Sequence, residues 1–244
     1  SSSHALIGGY AGSAVAKAGL GAITWGAKWV QTLSFIVISP LVGMAAGFVL
    51  MLAVYWTFQK VSVTRVDRIF RPAQLLSSAL LSWSHGGNDA QKTMGIIVGL
   101  LVASKEAFAN ETGLLRHLYV PTADTIPYWV EIGAYTAISL GTLFGGWRIV
   151  HTMGSRITRL RPVGGFSAET GGALAITLAT SLGIPVSTTH AIGSAIMGVG
   201  ATRRVSAVRW GVAGEVVAAW ILTWPSCRVL GYLLEEGFAA LGVG

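Results

Sequence analysis

The chain predicts an all-α fold: a polytopic membrane protein with inverted-topology repeats, discontinuous helices and re-entrant helical hairpins. Three observations carry this prediction. Hydrophobic residues fill 52% of the 244 positions and charged residues only 11%, against about 25% charged in a soluble domain. Apolar runs long enough to cross a bilayer alternate with short clusters of Lys and Arg. A polar pentapeptide inside one apolar run, Ser187-Thr188-Thr189-His190-Ala191, has a near copy in Ser1-Ser2-Ser3-His4-Ala5.

The repeat comes first in the chain. An offset of 186 residues lays Ser1–Gly12 on Ser187–Gly198, with four identities and three Ser/Thr or Leu/Ile exchanges. Each unsatisfied polar group in hydrocarbon costs several kcal/mol, so two hydroxyl clusters in apolar sequence predict a duplicated binding element. The chain opens inside this motif, without Met, basic n-region or signal peptide, and is expected to be truncated at its N-terminus. Residues 1–58 then read as the end of a first repeat: the second arm of a hairpin (Ser1–Leu20) followed by a transmembrane helix, Leu33–Phe58. No charged residue stands between Lys28 and Lys60, and Pro40 predicts only a modest kink so early in that helix.

Residues 59–72 read as a cytoplasmic basic loop, with Lys60, Arg65, Arg68 and Arg71 against Asp67. Residues 73–244 read as a second repeat. It begins with a span over 73–103 made of two half-helices, because Ser84-His85-Gly86-Gly87-Asn88-Asp89-Ala90-Gln91-Lys92 interrupts the apolar run and Gly-Gly permits unwinding. A helix over 128–147, a hairpin over 165–202 divided at Gly183-Ile184-Pro185, and a helix over 210–234 containing Pro225 complete it.

Charge sets the expected topology. The three basic clusters hold eleven Lys/Arg and one acid, which places them on the cytoplasmic side. The 165–202 segment has a basic cluster at both ends, so it is expected to enter and leave on one side with its tip at Ile184–His190. The same count puts the Ser1 tip on the opposite side. Opposed hairpins and broken helices are the pattern of an inverted-repeat transporter with a midplane site. The +7 net charge does not indicate nucleic acid, since it flanks apolar segments, and the single Cys227 excludes a disulfide within the chain.

Two constellations carry chemistry. In Gly87-Asn88-Asp89-Ala90-Gln91-Lys92 an acid and a base lie inside a span, by default a functional feature. Asn88 and Asp89 can offer oxygens to a small cation and Lys92 can neutralise an oxyanion. The plainer alternative is an Asp89–Lys92 pair that stabilises a bend. In Pro185-Val186-Ser187-Thr188-Thr189-His190, Pro185 breaks one helix and Ser187 caps the next. Hydroxyls and N–H groups would then surround one point suited to a tetrahedral oxyanion; a plain N-cap after a turn is the alternative. His4 and His190 either relay protons or, the favoured reading, anchor the tips by hydrogen bonds. Glu169 can bind a coupling ion, carry a proton or favour a helix N-terminus. No Gly-x-Ser-x-Gly elbow is present and Ser187 and His190 lie on adjacent turns, against a Ser–His hydrolase; the protein is not expected to be an enzyme.

At these residues the chain resembles the PiT family of inorganic phosphate transporters. Gly86-Gly87-Asn88-Asp89 resembles that family's second Gly-x-Asn-Asp motif, Pro185–His190 its second hairpin tip, and Ser1–Gly9 its first. The first Asn-Asp motif and the proline before the first tip are missing. Asn88-Asp89-Ala90-Gln91-Lys92 departs from the common Asn-Asp-x-x-Asn pattern in the manner of bacterial members, and Lys92 makes proton coupling at least as plausible as sodium. The resemblance implies phosphate held by Ser1, Ser2, Ser3, Ser187, Thr188, Thr189, Asn88 and Asp89. Asp89, with Asn88 and Glu169, would serve the coupling ion or proton, and Gln91, Lys92, His4 and His190 would support the site. It implies symport of phosphate with H+ or Na+ by alternating access in a bacterial inner (plasma) membrane, crossed several times. No cofactor is expected beyond Na+ as coupling ion at Asn88 and Asp89. The expected partners are phosphate, H+ or Na+ and the bilayer, with a homodimer admitted and no nucleic acid. A carrier or channel for another oxyanion such as sulfate is the alternative.

Overall fold

The computed structural model describes residues 1–184 and 186–242; among them the regular elements are all helical. In chain order they are α1 (Ser2–Ala18), α2 (Ala27–Phe58), α3 (Val63–Ala103), the short α4 (Lys105–Phe108), α5 (Tyr128–Gly145), the short α6 (Trp147–His151) running into a π-helical turn at Thr152–Ile157, α7 (Pro162–Ser181), α8 (Thr188–Ala201) and α9 (Trp210–Ala240). Two of them are long and apolar enough to cross a membrane: Trp29–Phe58 at mean hydropathy 2.4 and Trp210–Ala240 at 1.3. Each contains an internal proline, Pro40 in α2 and Pro225 in α9.

The expected break in α3 is corrected. This helix continues for 41 residues through Gly86 and Gly87, and neither glycine has a positive φ. Each glycine weakens a helix by about 1 kcal/mol relative to Ala, but long helical stretches on both sides carry the chain through. The expected loop over 59–72 is also mostly helix, because α3 starts at Val63 and takes Pro72 within its first turns. Basic charge said nothing about the backbone of that segment. The other bounds move by a few residues: α5 ends at Gly145 and α9 extends to Ala240.

By its packing the chain forms two units, residues 86–148 and the remainder. In the smaller unit, Ala90, Met94, Val98 and Leu101 make one stripe of α3 against Val130 and Ala134 of α5, the spacing of an amphipathic helix face. In the larger unit, Met51, Phe70, Val163, Ile196 and Trp220 are part of the main core, and Phe70 meets Phe58 and Phe166 edge-on, each at 5.2 Å.

Close helix contact in the larger unit follows a crossed pattern. A Cβ on Gly198 of α8 would lie 2.1 Å from the Met44 carbonyl of α2, next to the Phe48 amide. A Cβ on Gly12 of α1 would lie 2.0 Å from the Arg228 carbonyl of α9, next to the Tyr232 amide. Gly12 and Gly198 are partners under the same 186-residue offset that aligns the two pentapeptides, and Met44 and Phe48 map onto Arg228 and Tyr232 with an offset of 184. Each repeat therefore lends its tip helix to the long helix of the other. Small residues make this approach possible, as at helix interfaces within membranes.

Candidate functional site

The two pentapeptides meet. The hydroxyl of Ser3 donates to the backbone carbonyl of Val186 at 3.0 Å, across 183 residues of chain. Each tip starts a helix in the same way: Ser1 caps α1 by accepting from the His4 amide at 3.3 Å, and Ser187 caps α8 by accepting from the His190 amide at 3.3 Å. Such caps satisfy only part of the donor set at a helix start. Two helix N-termini, with their partial positive charge, thus converge on one hydroxyl-rich point.

The turn before the second tip is a helix stop followed by a helix start. At the end of α7, Gly183 takes φ 65°. Its amide bonds the Thr180 carbonyl at 2.9 Å and the Ile184 amide bonds that of Ala179 at 3.0 Å, the Schellman arrangement that glycine permits. Ile184 then packs on Ala179, Val186 and Phe35. Pro185, expected to break the helix, lies outside the described residues. The arms α7 and α8 run antiparallel, with Gly164 against Val199 and Gly172 against Ile192. The 14 residues of α8 extend about 21 Å, short of the roughly 30 Å of hydrocarbon.

Ser187 and Thr188 are buried, as are Ser3 and His4; Thr189 and Ser1 are half-buried and Ser2 is exposed. His190 is fully buried, with its ring stacked on Trp220 at 4.1 Å and edge-on to His4 at 4.6 Å. Neither of its ring nitrogens makes a hydrogen bond among the described residues; the Ile36 carbonyl lies against the ring. Ring contacts with Trp220 and His4 hold His190 at the second tip. Trp220 supplies an aromatic face and no matching acceptor.

The Asn88 cluster belongs to the smaller unit. The Lys92 ammonium donates to the Asp89 carboxylate at 2.8 Å and to the Asn88 side-chain oxygen. Spacings of three and four residues bring these groups together on one helix face. Asn88 is buried, Asp89 and Lys92 are partly buried and Gln91 is exposed. Because α3 is unbroken here, its backbone N–H groups belong to the helix ladder and do not form the expected helix-end anion cradle. The ion pair lies within an unbroken helix.

Glu169 of α7 is held by α3 within the larger unit. Its carboxylate accepts from the Ser77 hydroxyl at 2.5 Å and the Gln74 amide at 3.3 Å. Gly165, one turn earlier, leaves the room that Gln74 occupies. Glu169 lies within α7, past its first turn, so the helix-dipole reading loses its basis. The Thr170 hydroxyl beside it is buried without a hydrogen-bond partner among the described residues. Sequence reasoning missed Gln74, Ser77 and Trp220. A signal existed for the first two, polar residues three apart in an apolar stretch; Trp220 gave none, since only the fold brings it to His190.

Comparison with known proteins bears on this geometry. Residues 1–231 match the model of the phosphate transporter family. The chain is 51% identical over 233 residues to a probable low-affinity inorganic phosphate transporter of Rhizobium meliloti, covering 96% of this chain and 66% of that protein. It is 40% identical over 232 residues to one of Bacillus subtilis, covering 95% and 65%. The chain thus spans slightly under two thirds of the length of these relatives. A solved structure, the sodium-dependent phosphate transporter, has the same fold at a TM-score of 0.79 and 24% identity, over 98% of this chain and 74% of that one. By this match the chain belongs to the phosphate transporter family, whose members are membrane proteins.

Proposed function

We propose that the protein imports inorganic phosphate across a bacterial cytoplasmic membrane by symport with H+ or Na+. The observation that carries this reading is the meeting of two capped helix starts at Ser3 and Val186. A tetrahedral oxyanion carries more lone pairs than one helix start can satisfy, and two converging starts with their Ser and Thr hydroxyls offer donors from two directions. Ser1, Ser2, Ser187, Thr188 and Thr189 replace the water shell of phosphate, and Ser3 joins them when its hydroxyl leaves the Val186 carbonyl. The names of the relatives point to the same substrate.

Asp89 serves the coupling step. Lys92 holds its carboxylate in the unloaded protein, and a proton or Na+ that takes the carboxylate must loosen that pair. Glu169 is the second acidic candidate for the coupling ion, already surrounded by two neutral donors. The crossed packing of α1 on α9 and α8 on α2 supports alternating access, because the tips then move with opposite repeats as the halves rock about the bound ion. The chain crosses the membrane several times, with the basic clusters on the cytoplasmic face.

Radiolabelled phosphate uptake by the full-length transporter in proteoliposomes, under imposed Na+ or H+ gradients and with sulfate as competitor, tests the proposal. Gradient-driven phosphate accumulation that excess sulfate leaves intact is the expected result. Equal uptake of sulfate, or flux that no gradient drives, would replace it with a general oxyanion carrier or a channel.

A further inference from the structure

Ser39 of α2, like Thr170 of α7, departs from the usual bonding of hydroxyls inside helices. A Ser or Thr within a helix commonly donates to the carbonyl one turn earlier. Here Thr57 bonds Ala53, Ser84 bonds Leu80, Ser167 bonds Val163 and Thr223 bonds Ala219, at 2.6–3.0 Å. Ser39 is only 3% exposed and its hydroxyl makes no hydrogen bond among the described residues. A buried hydroxyl without a partner is unfavourable, and its retention asks for a reason.

Helix register places Ser39 at the second tip. Helices α2 and α8 lie side by side in the same direction, Gly43 against Ala191 and Gly47 against Ala195. Ser39 is one turn before Gly43 on the same face, and Ser187 is one turn before Ala191. Ser39 is therefore level with the cap of α8 and with the first turn, where helix amides lack intrahelical acceptors. On the adjacent turn, Pro40 has no N–H to bond the Ile36 carbonyl, and that carbonyl lies against the His190 ring.

We infer that Ser39 is a ligand-binding residue outside the two tip motifs, donating its hydroxyl proton to an oxygen of the tetrahedral oxyanion bound at the Ser187 tip. This rests on the phosphate reading above and adds a residue to it. A hydroxyl contributed by the neighbouring long helix would register the position of the tip relative to α2. Binding of the anion would then tighten the α2–α8 contact.

Ser39→Ala in the full-length transporter tests this, because it removes the hydroxyl and leaves the helix packing. The expected result is a KM for phosphate raised about tenfold, the scale of one hydrogen bond to a charged ligand, with maximal uptake within about twofold. In detergent and without phosphate, the variant should melt at the wild-type temperature or above, and its stabilisation by phosphate should shrink. An unchanged KM, or a lower melting temperature in the absence of phosphate with the phosphate-induced rise intact, would overturn the inference by making Ser39 structural. A wild type that carries sulfate and not phosphate would overturn the phosphate reading instead. In that case a matching loss of sulfate affinity in Ser39→Ala would still support the place of Ser39.

Discussion

The paired tips and the Asn88 cluster hold polar groups in apolar surroundings by opposite means. The tips are made by long-range packing: Ser3 reaches Val186 across 183 residues, His190 rests on Trp220, and each cap accepts from one amide of its helix start. The Asn88 cluster is made within a single helix, where one ammonium serves both the carboxylate and the amide. The fold, not a ligand, brings the tips together. The cluster is already paired, so any cation there must compete with Lys92. The groups proposed for binding and for coupling thus have different starting states.

Removing the charge of the cluster should have the largest effect. Asp89→Asn is expected to abolish phosphate uptake while membrane insertion and yield stay normal, measured by proteoliposome uptake beside the monodisperse fraction in detergent. Uptake at the wild-type rate would strip the cluster of its coupling role and leave the tips as the whole site.

Breaking the tips' packing should come next. Gly198→Leu would drive a side chain against the Met44 carbonyl, where even a Cβ lies at 2.1 Å. Overpacking of this kind costs typically 1–3 kcal/mol, and more where the obstacle is backbone. Gly12→Leu should fail alike, by the crossed symmetry, whereas Gly99→Leu, with nothing within 4 Å of its Cβ position, should be tolerated. Thermal melting of the three variants checks this, and equal tolerance of all three would remove the close approach as the support of the tips.

What was legible in the sequence follows the same division. The long spans were visible because a charge-free run of about 30 residues has few other uses in a protein. The second tip was visible because helix stops and starts are local: Gly183 and Ser187 announce them by residue type, and both act as such. The continuity of α3 was not legible. Gly86-Gly87-Asn88-Asp89 carries weak helix formers, and only the flanking turns decide that the helix persists. Nor was the start of α3 at Val63, since the charges of Arg65 and Arg68 carry no information on dihedral angles. The partners of Glu169 and the burial of Ser39 arise from register between helices far apart in the chain. The small residues Gly43, Gly47 and Gly198 suggest close packing, but not with whom.

A milder change tests whether Lys92 belongs to the cation or to the anion. Lys92→Gln removes the competitor for Asp89 while keeping a donor at the same reach. If the lysine serves the carboxylate, the coupling cation should be needed at severalfold lower concentration, and the KM for phosphate should hold. A rise in the phosphate KM with unchanged cation dependence would assign Lys92 to the oxyanion. The readout is uptake titrated in each ion with the other fixed.

The smallest stability effect is expected at the Ser187 cap, and there it separates two roles of one hydroxyl. As a cap, Ser187 accepts from the His190 amide, and replacement by Ala typically removes about 1 kcal/mol, while replacement by Gly removes only a few tenths. As a ligand donor, its hydroxyl is lost equally in both variants. Melting temperature should therefore fall for Ser187→Ala and stay nearly constant for Ser187→Gly, whereas phosphate affinity should fall in both. If uptake instead follows the melting temperature, with the Gly variant close to wild type, Ser187 acts only by starting α8. The site would then depend on the helix amides and on the remaining hydroxyls.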